Sequence, residues 1–230
     1  MLDYKVKIRN CKYRNLKYIM NMQRGQKMKV RNFICGPLHN NNYVVIDDDT
    51  KKAVLIDCSD ANDDIIKYIN EQGASLEYIL LTHGHFDHIL GLNYFKEKYG
   101  VDFYINQMDV GLLNQINSLT DIMPVQTQNP PKPKGTFTES SQFFVGNIPV
   151  KIIHTSGHTK GSSCFLINGT LFSGDTMFFE TYGRTDLLGG SDKEMRESIA
   201  KLLTLPDDTV VLPGHGKPTT ISHEKKTYNL

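Results

Sequence analysis

The sequence predicts an α/β fold. Short apolar runs of strand length alternate along the chain with longer segments of helical pattern. Several of those runs end directly in a glycine-flanked histidine or aspartate, as strands feeding a common site do. Size agrees: 230 residues with 39% hydrophobic side chains suffice for one large domain or two small ones.

The elements follow in order. Residues 30–34 form the first strand. Residues 42–47 and 53–57 read as paired strands around the turn-forming Asp47-Asp48-Asp49. Residues 60–72 read as a helix, capped by Asp60 or Asn62 and stopped by Gly73. Residues 77–81 form a buried strand, and residues 87–99 a helix whose apolar face is Ile89, Leu90, Leu92 and Phe95, stopped by Gly100. A strand at 101–105 and a helix at 107–116 come next. Residues 117–138, rich in proline and polar groups, are expected to form a long loop, either a functional lid or a solvated connection. Later strands fall near 142–145, 150–154, 163–167, 170–173 and 209–212, with a helix over 191–203.

The most informative segment is Thr82-His83-Gly84-His85-Phe86-Asp87-His88. Three imidazoles and a carboxylate within so short a stretch are metal-ligating groups at ligand spacing, too dense for a chance polar loop. With no cysteine among them, neutral imidazole and carboxylate suit zinc first and iron or manganese second. Matching groups follow in Ser156-Gly157-His158-Thr159, Ser173-Gly174-Asp175-Thr176 and Pro213-Gly214-His215-Gly216. Five histidines and two aspartates exceed what one four-coordinate zinc takes, so two divalent ions sharing a carboxylate are expected. His154, His39 and His223 read as structural or surface residues.

This order of ligands resembles the metallo-β-lactamase superfamily. Phe172-Ser173-Gly174-Asp175-Thr176, Gly183-Arg184-Thr185-Asp186-Leu187 and Leu212-Pro213-Gly214-His215-Gly216 are most similar to the glyoxalase II-like hydrolases within it, of the short, bacterial type. The resemblance covers residues 28–230. It implies a four-layer αβ/βα sandwich with the metals at one edge of the two sheets. It implies His83, His85 and His158 on the first metal, Asp87, His88 and His215 on the second, and Asp175 bridging. Asp57, which ends the strand at 53–57, matches the carboxylate that steadies the histidine loop. Asp87 is expected both to ligate and to steer a proton.

Charge divides the chain unevenly. Residues 1–27 carry eight basic side chains against Asp3 alone, a net of +7; the whole chain is +1, which leaves −6 for residues 28–230. An acidic body disfavours a nucleic-acid surface. The basic leader reads as a targeting peptide, a basic arm, or codons upstream of a start at Met28. The last is favoured, with a disordered tail next, and residues 28–230 then form the hydrolase domain. Cys11, Cys35, Cys58 and Cys164 show no metal spacing and fit small buried side chains in a reducing, cytoplasmic setting. No apolar run has the length of a membrane span. Oligomeric state is not specified.

The expected reaction is hydrolysis of a thioester, such as S-lactoylglutathione or a related acyl thioester, by a metal-bridging hydroxide. The alternative is a glutathione persulfide dioxygenase with one iron; a lactonase or phosphodiesterase ranks below both. Arg184 stands where the similar hydrolases place a basic residue for an anionic substrate, with an ion pair to Asp186 or Asp192 as its other reading; Tyr182 borders the pocket or packs. One departure matters. Only fifteen residues follow His215, so a short, bacterial-type member is expected, without the helical C-terminal domain that completes a glutathione site in classical members.

Overall fold

The computed structural model describes residues 17–20, 27–119 and 129–228. Its first sheet runs, in spatial and chain order, β1 (Lys17–Met20), β2 (Met28–Cys35), β3 (Asn40–Asp47), β4 (Lys52–Ile56), β5 (Ser75–Leu80), β6 (Phe103–Asn106) and β7 (Gly135–Phe137). The first four strands are an antiparallel meander, and β4 to β7 pair in parallel. The second sheet is built from β8 (Phe143–Val145), β9 (Ile148–His154), β10 (Ser163–Ile167) and β11 (Thr170–Gly174). A small hairpin, β12 (Met177–Phe178) and β13 (Thr181–Tyr182), precedes its last strands, β14 (Val210–Pro213) and β15 (Thr219–Thr220).

Alternation of side chains makes the layers. Along β3 and β4, Val45, Val54 and Ile56 face the second sheet and pack with Ile152, Phe165, Phe172 and Leu212. Their neighbours Val44, Ile46, Ala53 and Leu55 face the other way, onto helices α1 (Asp63–Glu71) and α2 (Leu92–Tyr99), through Ile65, Ile69, Leu92 and Phe95. On the far side of the second sheet, Ile153, Leu171 and Val211 meet α3 (Asp192–Leu202) and α4 (Ile221–Thr227) through Met195, Ile199, Leu202 and Ile221. The result is the four-layer αβ/βα sandwich. β3 is buried at all eight positions, which is why it reads as a continuous run rather than an alternating one.

Several elements differ from the sequence reading. The helix expected at 87–99 is a 3-10 turn, Phe86–His88, followed by α2 from Leu92. The break lets the His88 carbonyl accept from Cys58 N, and Gly91 N donate to the Cys58 carbonyl, which pins the ligand turn to the end of β4. The helix expected at 107–116 is a 3-10 segment over Gln107–Leu119. Within the loop expected at 117–138, β7 adds an edge strand whose Phe137 enters the inter-sheet core; residues 120–128, and the lid reading there, lie outside the described residues. Asn62, not Asp60, caps α1, accepting from Asp64 N at 2.9 Å. The short β12, β13 and β15 and the helix α4 were not expected. Of the basic leader, Lys17–Met20 pairs with Met28–Arg31. Residues 1–16, including Cys11, and 21–26 lie outside the described set, and with them the reading of a disordered tail.

Candidate metal centre

All seven expected ligands follow directly from strand ends or their connecting turns. β5 leads into His83, His85, Asp87 and His88; β9 into His158; β11 into Asp175; β14 into His215. Their donor atoms fall into three overlapping groups, His83–His85–His158, His83–His88–Asp175 and Asp87–His88–His215, each within 4.8 Å. The Asp175 carboxylate lies between them. Its Oδ1 is 3.4 Å from His88 Nε2, and its Oδ2 is 3.5 Å from both His158 Nε2 and His215 Nε2. His85 Nδ1 and His158 Nε2 face each other at 2.8 Å.

The outer faces of three of the five histidines settle which nitrogen points inward. His88 Nδ1 donates to Asp57 Oδ2 at 2.8 Å, and His158 Nδ1 to the Arg184 carbonyl at 2.7 Å. Thr82 Oγ1 donates to Asp57 Oδ2 at 2.9 Å and therefore accepts from His83 Nδ1 at 3.1 Å. All three rings thus carry their proton on Nδ1 and turn an Nε2 lone pair into the site, tautomers read from the hydrogen-bond network. Asp57 holds this arrangement from a left-handed backbone (φ 60°), a strained state the surrounding bonds maintain. Gly214 and Gly183 let the chain close in. A Cβ at Gly214 would lie 2.3 Å from Asp175 Oδ1, and one at Gly183 1.8 Å from the Asp175 carbonyl.

The donor set fits divalent cations. His83 Nε2, His88 Nε2 and Asp175 Oδ1 are buried without a hydrogen-bond partner among the described residues. A stranded buried polar atom costs on the order of 1–3 kcal/mol, so three around one point call for a Lewis acid. Electrostatics agree. Burial, then the neighbouring imidazoles, hold His83 well below its ordinary range, and burial with His158 brings His85 down to about 4. Burial also opposes charge on His88, yet Asp87, Asp57 and Asp175 outweigh it and push its pKa well up. Against burial, His88 and His215 hold Asp87 below the usual carboxylate range, and His88 and His158 do the same for Asp175. Three carboxylates around His88 demand positive charge, which a cation meets better than a proton.

The chain matches the profile of the Metallo-beta-lactamase superfamily over residues 36–215. It belongs to that superfamily. Among curated relatives, the probable metallo-hydrolase YqgX of Bacillus subtilis is 34% identical over 202 residues, covering 86% of this chain and 95% of that one. The hydroxyacylglutathione hydrolase GloC of Haemophilus influenzae is 31% identical, covering 81% and 90%. Among solved structures, TTHA1623 in a di-iron-bound form superimposes with a TM-score of 0.77 at 30% identity, covering 86% and 98%.

Arg184 and Tyr182 stand differently from the superfamily's metal ligands. The Arg184 guanidinium grips Asp186 with two 2.7 Å bonds on the surface, the ion-pair reading of the sequence, while its carbonyl orients His158. The Tyr182 hydroxyl is 3.5 Å from Asp192 Oδ1. Residues missed at the sequence level hold the ligand loops together. Buried Asp109 accepts from Gly84 N (3.0 Å), Thr159 Oγ1 (2.7 Å) and Gly161 N (2.6 Å), tying the His83–His85 turn to the His158 loop. Asn41 Nδ2 donates to the Pro213 and Gly216 carbonyls on either side of His215. The polar triplet Asn40-Asn41-Asn42 opening an otherwise apolar buried strand was a visible signal; Asp109 carried none.

Proposed function

We propose that this chain is a two-metal hydrolase of acyl thioesters, S-lactoylglutathione or a relative, with zinc as the metal. The observation that supports it is the complete set of seven expected ligands converging about Asp175, in a chain 31% identical to a hydroxyacylglutathione hydrolase. His83, His85 and His158 would hold one cation, Asp87, His88 and His215 the other, with Asp175 between. Bound there, two divalent cations acidify water near neutral pH and polarise a carbonyl oxygen.

The chain's own residues do the rest. Asp57 and Thr82 keep His83 and His88 in the ligating tautomer. Asp87, whose carboxyl stays ionised beside His88, holds and steers the proton of an attacking water rather than storing it. No serine or cysteine nucleophile is needed. The substrate is a small molecule; neither nucleic acid nor a membrane surface is involved, and the setting is cytoplasmic. Arg184 reaches an anionic substrate end only by leaving Asp186, and Tyr182 borders the pocket.

Metal analysis of the purified chain, beside assays with S-lactoylglutathione, neutral thioesters, lactones and glutathione persulfide, tests this. Thioester turnover that tracks two bound zinc ions per chain is the expected result. Intact thioesters at every metal loading, with oxygen consumed from glutathione persulfide by the iron-loaded chain, would replace it with the dioxygenase.

A further inference from the structure

Asn40 stands among the ligands without belonging to their motif. It opens β3, directly after His39 in a left-handed conformation (φ 59°), and is fully buried. Its Nδ2 donates to Asp87 Oδ2 at 2.7 Å and lies 3.2 Å from His215 Nε2. That same Asp87 oxygen faces His215 Nε2 at 3.3 Å and His88 Nε2 at 3.6 Å. One amide therefore bonds the inward oxygen of one ligand and touches the inward nitrogen of another. Both belong to the Asp87–His88–His215 group, and no hydrogen bond joins the Asn40 side chain to His83, His85 or His158 among the described residues.

The amide is costly where it sits. Its Oδ1 is buried with no partner among the described residues. Half-satisfied buried amides are rare in folded proteins, and an apolar residue would fill the space without that penalty. What offsets the cost is the hold on Asp87. A carboxylate oxygen has two lone pairs, so Asp87 Oδ2 accepts from the amide and still faces a cation. The bond therefore survives loading and fixes the carboxylate's direction beforehand.

We infer that Asn40 is the positioning residue of the second cation position: it aims Asp87, and so sets how tightly the second cation is held without affecting the first. This rests on the two-cation reading above. Groups that orient metal ligands from behind typically contribute 10–100-fold in affinity.

The test uses the full chain titrated with cobalt(II), read by visible absorption and by competition with a chelator. Asn40→Leu has nearly the shape of asparagine and no donor; Asn40→Gln keeps a side-chain amide. Wild type is expected to take two equivalents. Asn40→Leu should hold the first with unchanged affinity and spectrum and bind the second about 10–100-fold more weakly, with Asn40→Gln in between. The inference is overturned if Asn40→Leu binds the second equivalent like wild type, or if both equivalents weaken together. A wild-type chain that takes one equivalent overturns the two-cation reading itself, and that result is read in a different sample.

Discussion

At the scale of single residues, the ligands and their supports make separable contributions. His83→Ala and Asp175→Ala are expected to abolish turnover while leaving a folded chain, because each removes an atom that has no other partner. Metal content, circular dichroism and assay together check this; wild-type turnover at full metal occupancy in either variant would refute the assignment. Asp87→Asn should spare the first cation and cost rate severely. Asp109 tests a different role. Asp109→Ala strands two buried donors, Gly84 N and Gly161 N, each worth about 1–3 kcal/mol, and leaves Thr159 Oγ1 to Ser162 Oγ. The melting temperature should fall by more than for either ligand variant. Arg184→Ala leaves the carbonyl that orients His158 in place, so metal binding should not change. A raised KM for anionic thioesters only would give the guanidinium a substrate role. Unchanged preference would leave it to Asp186.

Elements carry the second level. Where apolar periodicity is unbroken, the sequence reading and the structure coincide: α1 and α3 start at Asn62 and Ser191 caps, and β4, β9, β10 and β14 fall where expected. The misreadings have two causes. From Asp87 to Leu90 the pattern is helical, but the chain there must return His88 and Gly91 to Cys58, and those two bonds outweigh helix propensity. β7, β12, β13 and β15 are two or three residues long, too short to show a period. β1 sits at the sheet edge and bears no ligand. A chain starting at Met28 should therefore keep wild-type turnover and metal content. It exposes the backbone of β2 as a new edge, so earlier aggregation on heating is expected by light scattering. Loss of turnover would show that the edge strand shapes the site.

For the whole molecule, the cations are part of the fold's stability. A cation at a thousandfold its Kd adds roughly 4 kcal/mol, and for a chain of this size each kcal/mol shifts the melting temperature by about 2–4 °C. Chelation should thus lower it on the order of 10 °C, and zinc should restore it. The metal-free chain has its own pH dependence. The pKa of His88 is raised, so its contribution is complete below about 6.5 and lost as pH climbs through the higher folded value. Those of His83 and His85 are depressed, so stability falls as pH drops from about 6.5 toward the His85 value of about 4. Below that, protonation of Asp87 and Asp175 removes more. A stability maximum near pH 6.5 is expected for the metal-free chain. A monotonic profile would contradict it.

The sequence by itself determined the α/β class, the seven candidate ligands and their order, because ligation demands particular side chains at strand ends and both signals are local. It also marked Asp57, which closes a legible strand. The tertiary structure alone decided the rest. Asn40 meets His215 across 175 positions and Asp109 meets Gly161 across 52. Such contacts leave no period or spacing in the chain, since they exist only once the core between the sheets has packed one face to face on the other. The same packing turned the Arg184 side chain toward Asp186 and its carbonyl toward His158. No reading of residue type separates those two roles, because one belongs to the side chain and the other to the backbone.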